Sequence, residues 1–243
     1  MIATIDVGLK NLAICIMNCE NKNDFTTYKI PLWEVYNLLD DEKKKCCKLM
    51  KNGNVCGKNT IYKFTESENI EYTCKVHCPK DKLKDNNKIH QKKVKDFLLQ
   101  DIAEIVILKI NEILNTHKDL FLGIKKILIE LQPKINNKMK FVSHIIYSKF
   151  VEFYTLYNAN LLKKDKTIVR FVRASNKLKA YKGPVIKCNL KNAYGQRKFL
   201  SIEYTKWFLT EKFLNTIAYD NFILHNKKDD LGDVFLMAIN ALQ

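Results

Sequence analysis

The chain has 243 residues, 47% of them apolar, enough for one or two domains with an ordinary buried core. Lys and Arg number 42 against 26 Asp and Glu, a formal charge of +16 that points to a polyanionic partner: DNA, RNA or an anionic membrane. Seven Gly and four Pro argue against a fibrous or low-complexity chain, and no apolar run is long enough for a membrane-spanning helix, so no membrane role is predicted.

The N-terminal MIATIDVGLK carries Asp6 and lacks a basic segment ahead of an apolar stretch, so it does not read as a signal peptide and the chain is expected inside the cell. Ile2–Asp6 and Leu12–Met17 predict a β-hairpin turning through Val7–Asn11, and Phe25–Ile30 a third strand. Residues 42–80, rich in Cys, Gly, Asn and Lys, break the pattern as an insertion. Apolar residues from Lys88 to Leu114, among them Val94, Phe97, Ile102 and Ile113, recur at helical spacing. Ile124–Leu131 reads as a buried strand, Lys138–Tyr157 as a helix and Thr167–Val172 as a strand. A basic loop spans 174–192, and Ala193–Leu214 and Leu231–Leu242 read as the last two helices. The order predicts an α/β domain over residues 1–243, a mixed sheet flanked by helices, with an inserted module at 42–85.

Charge is concentrated in two places. Residues 42–95 are net +9, residues 163–198 net +11 with Asp165 as the single acid, and the remainder is net −4. AT-rich coding bias accounts for 39 Lys to 3 Arg, but not for the loss of acids from 163–198.

Four acids stand out by position. Asp6 ends the first strand, Glu130 ends IKKILIEL, and Asp230 and Asp233 are spaced by three at the opening of the last helix, on one helix face. Gathered carboxylates repel each other unless a cation sits among them. Oxygen ligands without His favour Mg²⁺ or Mn²⁺, and about two such ions per site activate a water and stabilise the leaving oxygen of a phosphodiester. Acids in a first helical turn also complement the helix dipole, so Asp229, Asp230 and Asp233 alone decide nothing. An I-D-x-G segment alone also suits actin-like ATPases, but seven Gly without a second phosphate loop speak against one.

Cys46, Cys47, Cys56, Cys74, His77 and Cys78 lie within 33 residues. In a reducing compartment such a cluster suits metal binding better than a disulfide framework. The pattern C-x9-C-x17-C-x2-H over Cys46, Cys56, Cys74 and His77 suits tetrahedral, structural Zn²⁺, with Gly53 allowing a knuckle turn. Cys47 can stand in for Cys46 and Cys78 for His77; reduced thiols without metal are the alternative.

The segments IDVGLKNLAICI (Ile5–Ile16), ILIELQP (Ile127–Pro133) and KKDDLGDVFLMAI (Lys227–Ile239) occur in an order that resembles the RuvC-like Holliday junction resolvases, above all the poxvirus and giant-virus type, and more distantly the fungal mitochondrial resolvases. AYGQRKFLSIEYTKWFL (Ala193–Leu209) resembles the basic helix that precedes their last acidic motif. The resemblance spans both ends of the chain and omits roughly residues 40–85. It implies a ribonuclease-H-like fold, a homodimer and Mg²⁺-dependent nicking of four-way DNA junctions, with Asp6, Glu130, Asp230 and Asp233 catalytic and Asp229 a lesser candidate. Together with the Lys/Asn/Ile bias it suggests a large DNA virus, with recombination or concatemer resolution at replication sites in host cytoplasm or nucleus. Gly232 departs from the family, where Ala is usual, and the Cys-rich insertion is absent from the shorter poxvirus-like pattern.

Lys10 and Asn11 in the first turn, Gln132, Lys134, Lys138 and Lys140 after Glu130, and Tyr194, Gln196, Arg197 and Lys198 in the basic helix are the predicted DNA contacts. Phe199, Ile202, Trp207 and Phe208 on that helix read as core. Two other readings differ in class. A transposon-type RuvC-like nuclease also combines IDxGxKN with a zinc knuckle, but places the Cys cluster between its second and third acidic motifs. A non-catalytic junction-binding protein would not need all four acids.

Overall fold

Apolar alternation in the first nineteen residues builds the centre of the sheet. β1 (Ile2–Val7) pairs antiparallel with β2 (Asn11–Cys19), and β3 (Tyr28–Asn37) pairs antiparallel with β2. The computed structural model describes residues 1–38, 44–66, 69–89, 96–132, 135–157 and 166–243. Two compact units result, one of Met1–Leu38 with Leu98–Gln243, the other of Leu39–Phe97.

The third strand begins later than predicted. Asp24 accepts from the Thr26 amide at 2.9 Å and caps a 3-10 turn at Phe25–Thr27, so extended backbone starts at Tyr28. The strand then runs through Pro31, which an edge strand tolerates.

In the larger unit the chain continues as α1 (Leu99–Thr116), α2 (Lys118–Leu122), β6 (Lys126–Glu130), α3 (Asn137–Tyr157) and β7 (Ile168–Val172); β4 and β5 belong to the smaller unit. β6 lies parallel to β1, and β7 parallel to β6, giving the order β3-β2-β1-β6-β7. The helix predicted from Lys88 starts at Leu99; Val94 lies outside the described residues, and Lys88 bridges to Tyr62 in the smaller unit. After β7 come a 3-10 segment (Ala174–Ala180), α4 (Ala193–Trp207), a π-helical turn (Phe208–Lys212), α5 (Thr216–Leu224) and α6 (Lys228–Leu242). The apolar pattern predicts one helix over 193–214 and none at α5. The π-helical turn interrupts the first, and Asn215 starts the second by accepting from Ala218 N at 3.0 Å.

α6 buries Leu231, Val234, Phe235, Leu236 and Ile239 against the sheet face of β1–β3. Two hydrogen bonds fix its depth: Thr4 Oγ1 donates to Val234 O at 2.7 Å and Trp33 Nε1 to Leu231 O at 3.0 Å. Trp33 also stacks on Phe222 with ring centres 5.4 Å apart. The other apolar layer combines α1 and α3, which pack on each other and bury Val106, Ile110, Val142, Ile146 and Phe150.

In the smaller unit β4 (Tyr62–Glu66) and β5 (Asn69–Thr73) form an antiparallel hairpin, preceded by a looser one bridged at Lys45↔Asn59 and Leu49↔Val55. Among the described residues no helix is long and apolar enough to cross a membrane.

Candidate active site

Parallel pairing brings the first two acids together. β1 and β6 run in register from Ile2↔Lys126 to Ile5↔Ile129, so the next residue of each strand, Asp6 and Glu130, stands at the same C-terminal end of this central strand pair. Side chains alternate along a strand. Thr4, bonded to Val234, therefore shares its face with Asp6, and that face is covered by α6. Asp233 immediately precedes Val234, the residue of α6 that Thr4 contacts. Carboxylate oxygens of Asp6, Glu130 and Asp233 all lie within 4.8 Å of one another.

Lys177, on the 3-10 segment after β7, enters this cluster. Its Nζ pairs with Asp233 Oδ2 and stands 3.2 Å from Glu130 Oε2. Ser201 of α4 donates to the other Asp233 oxygen, Oδ1, at 2.6 Å. Asp233 is thus held from two sides. The side chains of Lys177, Glu130 and Asp233 are 11%, 13% and 18% exposed, so the cluster is enclosed but reachable.

The electrostatics follow. Burial, then the neighbouring Glu130 carboxylate, pushes Asp6 well above the usual carboxylate range, against the pull of Lys177. Burial also raises Asp233, although Lys177 and Ser201 oppose it. For Lys177, burial favours the neutral amine, but Asp233, Glu130 and Asp6 outweigh it and hold the ammonium. Three crowded carboxylates with one ammonium remain short of positive charge. The donor set is all oxygen, which fits a hard divalent cation and not a thiophilic one.

Asp230 is not among the three mutually close carboxylates. It lies one turn before Asp233, raised by burial and by Asp229, with the Asn11 side chain hydrogen-bonded to it. Asp229 turns to Lys198, whose ammonium overcomes burial and keeps the carboxyl low. Lys177 and Ser201 are absent from the sequence reading. Lys177 lies among twelve basic residues with nothing in its spacing to single it out; its place just after a strand parallel to β6, at the end of the sheet where Asp6 and Glu130 stand, is the signal that was available.

No protein-family model matches the sequence. An uncharacterized protein of Acanthamoeba polyphaga mimivirus is 30% identical over 233 residues, covering 88% of this chain and 54% of that protein, so the chain spans about half the length of the curated relative it matches. The Fowlpox virus Holliday junction resolvase aligns over 99% of this chain and 97% of its own at 13% identity, with a TM-score of 0.47. The yeast mitochondrial Holliday junction resolvase Ydc2 superposes over 99% of this chain and 78% of its own at 14% identity, with a TM-score of 0.52. The chain has a RuvC-like resolvase fold.

On this RuvC-like fold the predicted DNA contacts differ in character. Lys10, Tyr194 and Arg197 are exposed, and Asn11, Lys138, Lys140 and Gln196 are half-buried. Gln196 already donates to Leu190 O at 2.7 Å. Lys198 is engaged by Asp229 and lies over the Tyr194 ring, 4.9 Å from its centre, so it orders the start of α4. Gln132 is buried, with Nε2 3.5 Å from Glu130 O, unlike the exposed phosphate contact that its position in the sequence suggests. Lys134 lies outside the described residues. In the smaller unit, ligand atoms of Cys46, Cys56, Cys74 and His77 lie within 4.8 Å of one another; Cys47 is exposed, and neither it nor Cys78 belongs to that group.

Proposed function

We propose that the chain is a Mg²⁺- or Mn²⁺-dependent endonuclease that nicks four-way DNA junctions. The observation that carries this reading is the meeting of Asp6, Glu130 and Asp233, from three distant stretches of chain, at the C-terminal ends of the central strands of a RuvC-like sheet. Asp6, Glu130 and Asp233 hold the metal, and Asp230, beside them on α6, is the fourth catalytic acid. Divalent ions held there supply positive charge and an activated water for phosphodiester hydrolysis, in the two-metal manner.

The chain's own residues prepare that site. Lys177 restrains the carboxylates of Glu130 and Asp233, and Ser201 holds the other oxygen of Asp233, so little ordering remains to be done when DNA arrives. The basic stretch 163–198, with Arg197 exposed on α4, meets backbone phosphates without reading bases. Ydc2, whose fold the chain shares, is a Holliday junction resolvase. A four-way junction is two-fold symmetric, so the active form is a homodimer with one acidic site for each of two opposed strands. The mimivirus relative supports a viral setting, and junction nicking in that setting would serve DNA recombination or concatemer resolution.

The test is cleavage of a labelled synthetic four-way junction and of a linear duplex of the same sequence, each with Mg²⁺ and with Mg²⁺ omitted. Mg²⁺-dependent nicks near the branch, with the duplex mostly intact, are expected. Equal cutting of both substrates would overturn junction selectivity, and no cutting of either would overturn the enzyme assignment.

A further inference from the structure

We propose that Cys46, Cys56, Cys74 and His77 bind one structural Zn²⁺ ion, with His77 coordinating through Nδ1, and that this ion takes the place of an apolar core in the inserted unit. The distances have the form of a tetrahedron. With Zn–S near ~2.3 Å and Zn–N near ~2.05 Å, a tetrahedral site has S···S edges of ~3.8 Å and S···N edges of ~3.5–3.6 Å. Cys56 Sγ and Cys74 Sγ are 3.8 Å apart, Nδ1 of His77 is 3.5 Å from Cys46 Sγ, and it is 3.6 Å from Cys74 Sγ. A sulfur separation of 3.8 Å is far beyond the ~2.05 Å of a disulfide.

The backbone around the sulfurs is built to hold them. Cys46 and Cys56 lie on opposite arms of the first hairpin: Cys46 N donates to Lys58 O at 2.8 Å and Cys56 N to Lys48 O at 2.9 Å. Gly53, at φ +79, and Gly57, at φ +62, supply the left-handed residues this hairpin needs. Cys74 and His77 follow the second hairpin directly, and the amides of Val76 and His77 point at the Cys74 sulfur. Each hairpin therefore contributes two ligands, and the ion joins them.

The unit has little else to hold it. Among the described residues of 44–89, the buried apolar side chains are Phe64 and the three cysteines Cys46, Cys74 and Cys78, whereas Leu49, Val55, Ile70 and Val76 are exposed. A unit this small with one large buried hydrophobe needs a staple. The ligand set also separates the adjacent cysteines. Cys46 is 0% exposed and points inward, and Cys47, the next residue, faces solvent. Four protein ligands close the coordination shell, so the site is structural and takes no part in hydrolysis. Thiolates and imidazole select zinc, whereas the carboxylate cluster selects a hard cation.

The experiment uses the full-length chain. Elemental analysis after dialysis against a weak chelator is expected to give one zinc per chain, and Co²⁺ exchange the absorption spectrum of a tetrahedral site with three thiolates and one nitrogen. Cys47→Ser and Cys78→Ser are expected to keep the metal and Cys56→Ser to lose it. His77→Cys is expected to keep it with a four-thiolate cobalt spectrum, a readout that does not depend on a destabilised variant. Stripping zinc is expected to open residues 44–89 to protease while 98–243 resists. A metal-free purified chain, a cobalt spectrum without thiolate charge transfer, or full zinc content in Cys56→Ser would each overturn the site. None of these readouts involves DNA cleavage, so the zinc site and the nuclease reading stand or fall separately.

Discussion

Lys177 and Asp233 pair across the gap between the end of β7 and the first turns of α6, and the same ammonium stands 3.2 Å from Glu130. One positive charge therefore serves a cluster of three carboxylates, at a position where both it and its partners are largely withdrawn from water. Lys177→Met leaves those carboxylates uncompensated. Breaking one side of such a pair costs about 3 kcal/mol, so the metal-free variant is expected to melt well below the wild type, with Mg²⁺ restoring part of the loss. Equal melting temperatures in chelator would show that Lys177 does not balance the cluster.

Asp6→Asn separates function from stability at the same site. The Asp6 carboxyl is raised by burial and by Glu130, so its ionised form is a cost to the fold. The neutral amide removes that cost and a metal ligand together. Junction nicking is expected to fall by about two to three orders of magnitude, the range lost when a preorganised charge leaves a catalytic centre. The metal-free melting temperature is expected to rise at pH 8, and junction binding at low salt to survive. A variant that cuts like the wild type would remove Asp6 from the site.

The pairing of Asp6 with Glu130 was legible because each acid ends an apolar run, and parallel strands of similar length bring such ends together. Asp233 was legible from its place in DDLGD, but the roles of Asp229 and Asp230 were not. Spacing puts Asp230 and Asp233 on one helix face, yet it cannot say that Asn11 and Lys198 wait for Asp230 and Asp229. α5 stayed hidden because TIAYDNFIL is short and apolar on several sides, so it carries no clear helical stripe. The C-x9-C pattern put Cys46 ahead of Cys47 without deciding between them; burial of one and exposure of its neighbour is a property of the folded hairpin.

The same cluster sets a pH dependence. Asp6 and Asp233 have folded-state pKa values raised above the ordinary 3.8, so the folded chain holds protons that the unfolded chain releases. Their contribution is fully present below that ordinary value and is lost as pH rises through the raised ones. Asp229, held low by Lys198, runs the other way and loses its contribution as pH falls. The difference in melting temperature between wild type and Asp6→Asn isolates the first effect. In chelator the variant's advantage is expected to grow from pH 4 to pH 8, and Mg²⁺ to stabilise the wild type more at pH 8 than at pH 5. A Mg²⁺-induced shift that is the same at both pH values would place the ion away from these acids.

Gly232 is where α6 meets α4. A Cβ there would lie 2.9 Å from Ser201 Oγ, 3.0 Å from Ser201 O and 3.0 Å from Thr205 Oγ1, and both partners are fully buried. Ser201 cannot simply rotate away, because its hydroxyl donates to Asp233. Gly232→Ala gains about 1 kcal/mol of helix propensity but forces the two helices apart, at a cost of roughly 1–3 kcal/mol. A lower melting temperature and weaker nicking are expected together, since the same shift strains the Ser201–Asp233 bond. Adding Ser201→Ala removes one of the three close contacts but not the one with the backbone oxygen. The double variant should therefore recover only part of the lost stability. Full recovery would show that the side chain alone, and not the approach of the two helices, requires glycine at position 232.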